Sequence, residues 1–294
     1  MTLRLATRRS PLALLQATGV AERLRAHGFD AQIVPMITHG DVATGPLSAL
    51  GGQGVFAVEI QRAVLDGDAD IAVHSAKDLP SVTPDGLLLA SVPERRDPRD
   101  VLIGSTLADL AEGARVATGS PRRRALLLHQ RPDLTIVELR GNMATRIGAA
   151  GRDGIDAVVA AAAALERLGE EQHIAEYLDP TWFTPQVGQG ALALEVRTGD
   201  SVAATAVGLL HDASVGVAVR AERAFLAELG AGCSIPVAAH ATVDGAVITL
   251  DAMMAAPSGT RIVRATQSGV DADELGARIA RYLRDDCGGA DLVG

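Results

Sequence analysis

Two distant stretches of the chain repeat the same order of residues. Residues 4–16 read RLATRRSPLALLQ, and residues 115–130 read RVATGSPRRRALLLHQ. Both reach a Ser-Pro pair and continue into a Leu-rich run that ends in Gln. Ser followed by Pro is typical of a helix start, because the Ser side chain caps free N–H groups and Pro suits the first helical position. We therefore predict a strand followed by a helix twice, with Ser10 and Ser120 as N-caps.

A second pair of stretches repeats at a similar interval. DADIAVHSAKDL (68–79) and GIDAVVAAAAALERL (154–168) each place an acid before a short apolar strand. This interval is too long for a solenoid repeat and suits two related α/β lobes. Strands that alternate with helices favour parallel sheets, whose ligands bind at the carboxyl ends of the strands.

The predicted fold class is α/β, with two doubly wound lobes and a small α+β C-terminal domain. A strand at ALALEV (191–196) is expected to return to the first lobe. The predicted units are lobe 1 (1–93 and 191–208), lobe 2 (94–190) and the C-terminal domain (209–294). In the C-terminal domain we expect strands near 235–241, 245–251 and 261–267, and a final helix near 271–285.

Composition narrows the functional classes. The 294 residues are 48% hydrophobic and 21% charged, which is typical of a globular protein. The net charge of −9 argues against general nucleic-acid binding, which usually requires a basic surplus. The N-terminus does not resemble a signal peptide, and no apolar run approaches the ~20 residues of a membrane span. Two widely separated cysteines suggest neither a disulfide framework nor a metal site, so we expect a cytoplasmic protein.

Arginines cluster where the two repeated helices are predicted to begin. Arg8 precedes the first helix, and Arg122 and Arg123 lie in the first turn of the second. A helix N-terminus attracts anions and disfavours cations, so a bound anion would explain this placement. The alternative is a solvated surface patch.

Further arginines extend this pattern in the second lobe. Arg140 and Arg146 flank a predicted strand-to-helix junction in LRGNMATRIG, and Arg167 lies in ALERLG. The planar guanidinium group suits carboxylates and phosphates. The pattern therefore indicates a ligand with several negative charges.

The segment AVHSAKDLP (72–80) runs from an apolar strand into polar residues. An Asp beside a Lys can stay ionised in a cleft and stabilise a cationic reacting group, which makes Asp78 a candidate catalytic residue. The segment equally fits a plain strand-to-turn transition, capped by Asp78 and ended by Pro80. We find no G-x-S-x-G hydrolase motif and no His or Cys spacing typical of a catalytic metal.

Cys233 lies in the glycine-rich segment GAGCSIP, just after a predicted helix. Glycines would let bulky material approach the backbone there and give the thiol access to a cleft. The alternative is an inert small residue in a turn. Cys287, in RDDCGG, is given no role.

Eight motifs occur in a characteristic order along the chain: ATRRSPLAL, HSAKDLP, DPRD, GSPRR, LRGN, VGQGAL, AERAFL and GAGCSIP. From about residue 4 to the last helix, the chain resembles the porphobilinogen deaminase (hydroxymethylbilane synthase) family. The resemblance implies two lobes like those of type II periplasmic binding proteins, and a monomer. It also implies an enzyme that condenses four porphobilinogen molecules head to tail, releases ammonia at each step and yields hydroxymethylbilane.

The resemblance also implies roles for individual residues. Cys233 would carry a dipyrromethane cofactor through a thioether, and Asp78 would stabilise the positive charge that develops when ammonia leaves. Residues implied to hold cofactor carboxylates are Lys77, Ser120, Arg122, Arg123 and Arg146. Residues implied to serve substrate or the growing chain are Arg8, Ser10, Arg140 and Arg167.

Three departures from the family pattern bear on the rate of the enzyme and on closure of the mobile loop that we predict at Gly51-Gly52-Gln53-Gly54. Gln53 stands where many members have Lys, His39 replaces a common Arg, and the second lobe reads GSPRR where many read SSLRR. A competing interpretation is a non-catalytic, two-lobed protein that binds organic anions. Cys233 distinguishes the two, since a binding module has no need of a thiol facing the cleft.

Overall fold

The computed structural model describes residues 2–42, 54, 56–230 and 235–292. Gln53 and Cys233 lie outside the described residues. The described chain forms three sheets, and each sheet falls within one of the three predicted units. The exact boundaries of those units stay predictions.

The first sheet has the order β2-β1-β3-β10-β4. Its strands are β1 (Thr2–Arg8), β2 (Asp30–Met36), β3 (Ile71–Ser75), β4 (Leu87–Ser91) and β10 (Leu192–Arg197). β1 pairs in parallel with β2 and β3, whereas β10 runs antiparallel to β3 and β4. The predicted return of a strand near 191–196 to the first lobe is confirmed.

The second sheet matches the first strand for strand, with the order β7-β6-β8-β5-β9. Its strands are β5 (Asp100–Ile103), β6 (Arg115–Ala117), β7 (Thr135–Val137), β8 (Ala157–Ala161) and β9 (Ile174–Tyr177). β5 runs antiparallel to both of its neighbours, β8 and β9. The internal repeat of the sequence is therefore a repeat of structure.

The sheets of the two lobes are mainly parallel, as the sequence favours, but each of these two sheets contains one antiparallel strand. The chain crosses from the first lobe to the second between β4 and β5, and returns between β9 and β10. Parallel neighbours require a crossover connection that turns the chain round. β5 and β10 each arrive directly from the other lobe, and they run against their neighbours.

Helices accompany the sheets, and the two that follow the Ser-Pro pairs begin where the sequence predicts. The helices of the first lobe are α1 (Pro11–Ala26), α2 (His39–Val42) and α3 (Val58–Leu65). Those of the second are α4 (Pro121–Gln130), α5 (Met143–Ala149) and α6 (Ala162–Leu168). Both predicted caps are confirmed: the Ser10 hydroxyl accepts the N–H of Ala13 at 3.3 Å, and Ser120 accepts that of Arg123 at 3.4 Å.

The C-terminal part forms a three-stranded antiparallel sheet with the order β11-β12-β13. Its strands are β11 (Val237–Asp244), β12 (Val247–Ala255) and β13 (Ile262–Gly269). They are preceded by α7 (Ser201–Gly208) and α8 (Ala213–Glu228), and followed by α9 (Ala272–Arg281). Phe225 of α8 and Leu275 of α9 are buried in one core with the sheet. The predicted strands and final helix are confirmed to within a few residues.

One buried carboxylate joins both crossovers to the C-terminal domain. Glu222 of α8 accepts hydrogen bonds from Arg95 in the first crossover at 2.6 Å and from the N–H of Gly188 in the second at 2.7 Å. It also accepts the N–H of Ala241 in β11 at 2.8 Å. Burial alone would raise the pKa of Glu222, but Arg95 and His240 outweigh it and hold the pKa at about 2. The two crossovers are thereby anchored to the C-terminal domain.

Within the described ranges, no single helix is long and apolar enough to span a membrane. The α7 and α8 segments reach that length only together, across a bend of 111°.

Candidate active site

Lys77 and Asp78 lie in a 3₁₀ turn, Ala76–Asp78, directly after the carboxyl end of β3. The second crossover packs against this turn. At Gly188, which has a φ of +71°, an added Cβ would lie 2.9 Å from the backbone nitrogen of Lys77. Gln186 also donates its Nε2 to the Lys77 carbonyl at 3.4 Å. The returning chain therefore fixes the turn that carries both predicted residues.

The ammonium group of Lys77 is in an unfavourable setting for a cation. Burial, and then the charge of Arg123, lower the pKa of Lys77 to about 8. Asp78 and Asp100 oppose this shift without cancelling it, and Arg146 adds to it. No carboxylate in the described part of the chain forms an ion pair with Lys77. A bound anion would stabilise the charged form of Lys77.

Arg122 and Arg123, in the first turn of α4, share one buried carboxylate. Asp100, the first residue of β5, accepts from Nη2 of Arg122 at 2.7 Å and from Nε of Arg123 at 2.9 Å. Arg122 also donates to the carbonyl of Thr184 at 2.7 Å, and Arg123 to that of Val159 at 3.1 Å. Burial would raise the pKa of Asp100, but the two guanidinium groups hold it below its usual range.

Arg146, on α5, brings a further positive charge to this place. Its Nε donates to the carbonyl of Gly141 at 3.1 Å. Burial and then repulsion from Arg123 lower the pKa of Arg146 to about 10, and attraction to Asp78 offsets part of the shift. Lys77 and Asp78 of one lobe therefore lie within electrostatic reach of Arg123 and Arg146 of the other.

This cluster carries more positive than negative charge. Its four cations are Lys77, Arg122, Arg123 and Arg146, and its two carboxylates are Asp78 and Asp100. Buried charge without a counter-ion is costly. The surplus of positive charge fits a ligand that brings several carboxylates, and dipyrromethane, with an acetate and a propionate on each ring, is such a group.

The remaining predicted residues lie in separate settings. The Arg8 guanidinium stacks 4.0 Å over the ring of Phe56, and the Ser10 hydroxyl caps α1. Arg140 is half-buried between β7 and α5. Arg167 donates Nη2 to Glu94 at 3.0 Å and to the carbonyl of Gly190 at 2.8 Å. Their contacts with a ligand stay predictions.

The sequence did not lead us to predict that the second lobe supplies its own buried carboxylate, Asp100. The sequence interpretation attributed the arginines of α4 to a bound anion, whereas Asp100 already pairs with Arg122 and Arg123. Asp100 ends the motif DPRD and immediately precedes the apolar strand residues VLI. An acid at the start of a buried strand must find a partner, and this is the sequence signal that could have predicted its pairing with arginines. Arg124, in the same turn, is exposed.

Two of the departures from the family pattern lie in described parts of the chain. The backbone N–H of His39 donates to Oε1 of Glu59 at 2.9 Å, a contact that does not use the imidazole. At Gly119, in GSPRR, an added Cβ would lie 3.2 Å from the carbonyl oxygen of Leu139. A Ser at this position would therefore require a small shift of the neighbouring strand-to-helix junction.

Comparison with known proteins gives matches over nearly the whole chain. Residues 3–205 match the family model "Porphobilinogen deaminase, dipyromethane cofactor binding domain", and residues 217–285 match "Porphobilinogen deaminase, C-terminal domain". The chain is 45% identical to porphobilinogen deaminase of Syntrophotalea carbinolica, over 96% of this chain and 92% of the relative. It is 46% identical to that of Cutibacterium acnes, over 99% and 96%.

Among solved structures, the methionine binding protein MetQ aligns at 14% identity with a TM-score of 0.46, over 71% of this chain and 89% of that one. The family models and the relatives named porphobilinogen deaminase agree with the eight motifs and with the group of cations beside Asp78. The chain belongs to the porphobilinogen deaminase family.

Proposed function

We propose that this chain is a hydroxymethylbilane synthase, a transferase that joins four porphobilinogen molecules head to tail and releases ammonia at each addition. The observation that carries the proposal is the surplus of positive charge beside Asp78, where Lys77 and Arg146 are half-buried, in a chain that belongs to this family. Porphobilinogen bears an acetate and a propionate. Each addition therefore brings two more carboxylates to a cleft rich in cations.

The proposed primer is dipyrromethane, attached to Cys233 through a thioether. When bound, this group supplies the pyrrole carbon to which the first substrate ring adds. The residues proposed to hold its carboxylates are Lys77, Ser120, Arg122, Arg123 and Arg146. Arg122 has both Nη atoms engaged, on Thr184 and Asp100, so its proposed contribution is mainly the field of a buried charge.

Asp78 is the proposed catalytic residue. Loss of ammonia from the substrate's aminomethyl group leaves a positive charge that extends to the pyrrole nitrogen. Asp78 lies in the turn after β3, whose backbone packs against Gly188. Its carboxylate is proposed to accept a hydrogen bond from the pyrrole N–H. A carboxylate oriented in advance stabilises the developing charge more than water does.

The residues proposed to receive substrate or the growing chain are Arg8, Ser10, Arg140 and Arg167. All four lie at or near ends of helices or strands. Guanidinium groups at such places bind carboxylates in fixed directions and so orient the reacting carbons.

The function is tested by incubating purified protein with porphobilinogen and measuring released ammonia and pyrrole product together. We expect four molecules of ammonia for each molecule of hydroxymethylbilane. Asp85→Asn, at an exposed site of the same lobe, is the matched control for substitutions at Asp78. Protein that binds porphobilinogen and releases no ammonia would instead be a non-catalytic organic-anion binding protein, the second interpretation of the two-lobed fold.

We also propose that the protein acts as a monomer in the cytoplasm, without nucleic-acid or membrane partners. Its net charge of −9 supports the absence of a nucleic-acid partner. Light scattering of the purified protein tests the monomer, since a mass of two chains would contradict it.

A further inference from the structure

Glu94 lies in the first crossover, at the place where helices of the two lobes meet. α1 belongs to the first lobe and α6 to the second, and the two helices contact each other. Arg167 of α6 donates to Oε1 of Glu94 at 3.0 Å, and Nη1 of Arg23 in α1 lies 3.9 Å from Oε2. Nε of Arg96 lies 3.8 Å from Oε1. One carboxylate thus faces arginines from both lobes.

The bonds of Arg167 leave part of its guanidinium group available. Both of its hydrogen bonds start from Nη2, one to Glu94 and one to the Gly190 carbonyl. The group has five N–H donors in all. Its side chain is only 9% exposed, and burial lowers the pKa of Arg167 while Glu94 opposes the shift. A guanidinium group buried to this extent requires an anion nearby.

Glu94 differs from Arg167 in its access to water. Its side chain is 34% exposed, so solvent can take the place of Arg167 on its oxygens at small cost. The pair can therefore open when another carboxylate reaches Arg167, while the Gly190 carbonyl keeps the guanidinium in place.

We propose that Glu94 is a positioning residue that competes with the carboxylates of the growing chain for Arg167. This inference rests on the proposed function, in which Arg167 serves that chain. While the chain is short, Arg167 stays on Glu94. When more rings are present, a carboxylate of the chain displaces Glu94 from Arg167. The competition limits how tightly the longest chain is held, and so favours its release.

The test is Glu94→Gln, which removes the charge and keeps the size of the side chain. Protein is mixed with limiting porphobilinogen, and the enzyme-bound intermediates are weighed by mass spectrometry. We expect at least a twofold shift towards the forms with most rings, a KM for porphobilinogen lowered several-fold, and a reduced kcat. The thermal midpoint should fall only slightly, because Glu94 is partly exposed to solvent. An unchanged distribution, or an even loss of all intermediates with a lower thermal midpoint, overturns the inference.

Two controls separate this contact from general electrostatics. Glu166→Gln removes a half-buried carboxylate of α6 that acts on Arg167 only through its charge, and it should leave the distribution unchanged. In an Arg167→Ala background, Glu94→Gln should have no further effect. A shift in either control contradicts competition for Arg167.

The outcome also separates this inference from the function on which it rests. Wild-type protein without any pyrrole adducts would overturn both. A normal series of adducts in wild type, unchanged in Glu94→Gln, would overturn the role of Glu94 alone.

Discussion

The two lobes share a strand order but present different chemistry at equivalent places. After β3, the chain of the first lobe turns immediately and presents Lys77 and Asp78. After β8, the equivalent strand of the second lobe, the chain enters α6 with three buried alanines. The first turn of α4 carries three arginines, whereas that of α1 carries none. The duplicated fold thus gives one lobe the proposed catalytic carboxylate, Asp78, and the other most of the cations proposed to bind carboxylates.

This division explains why positive charge exceeds negative charge around Asp78. The second lobe neutralises its arginines only partly, through Asp100, and the first adds Lys77. A ligand with several carboxylates would neutralise the remaining cations of both lobes. Four substitutions probe the difference between the lobes, one through stability and three through turnover or ligand affinity.

The largest effect is expected for Asp100→Asn in the second lobe. Removing this buried carboxylate leaves Arg122 and Arg123 without their shared counter-ion, which typically costs about 3–5 kcal/mol. Denaturant unfolding at neutral pH measures the lower free energy of unfolding. The folded pKa of Asp100 lies below its unfolded value, so the stabilisation is full above the unfolded pKa and is lost as pH falls through the folded one. A variant as stable as wild type at neutral pH would contradict the role of Asp100.

In the first lobe, Asp78→Asn should abolish most turnover and leave the fold intact. Losing a partner of developing charge costs on the order of 10²–10³-fold in kcat. Ammonia release measures the rate, and the unfolding curve should match that of wild type. The exposed Asp85→Asn control should keep normal activity. Turnover of Asp78→Asn within a few-fold of wild type would end the assignment.

Lys77 should make ligand affinity depend on pH. As pH rises through about 8, its ammonium group loses its proton, and affinity for carboxylates should fall by about tenfold, the value of one charge-assisted hydrogen bond. Calorimetry with an unreactive pyrrole dicarboxylate and Cys233→Ser protein measures this between neutral pH and pH about 9.5. Lys77→Arg, which keeps its charge there, should remove the step. If the affinity of the protein that keeps Lys77 does not change across this pH range, the lowered pKa of Lys77 is contradicted.

The smallest effect is expected for Arg124→Ala. Arg124 shares the first turn of α4 with Arg122 and Arg123, but its residue is exposed, and the ion pairs of Asp100 are with the other two arginines. Surface substitutions usually change stability by less than about 0.5 kcal/mol. We expect turnover within twofold of wild type by the ammonia assay. A large loss of turnover would mean that the residues that bind carboxylates include the exposed Arg124 as well as the cluster around Asp78.

Local patterns predicted the elements well, and distant contacts were harder to foresee. The Ser10 and Ser120 caps follow from neighbouring residues, and both are confirmed. The pairing of Asp100 with α4 joins residues more than 20 positions apart, and no local periodicity reports it. The antiparallel direction of β5 and β10 likewise depends on how the chain passes between lobes. The ligand contacts of the arginines could be assigned only by family resemblance.

The central claim is that Cys233 carries a covalent two-ring primer held by cations of both lobes. The most direct measurement is the intact mass of the purified, active protein beside that of Cys233→Ser. The account predicts that wild type is heavier than its amino-acid sequence by one dipyrromethane, and that the variant has the mass of its sequence and no turnover. Active wild-type protein with the bare mass of its sequence would contradict the account.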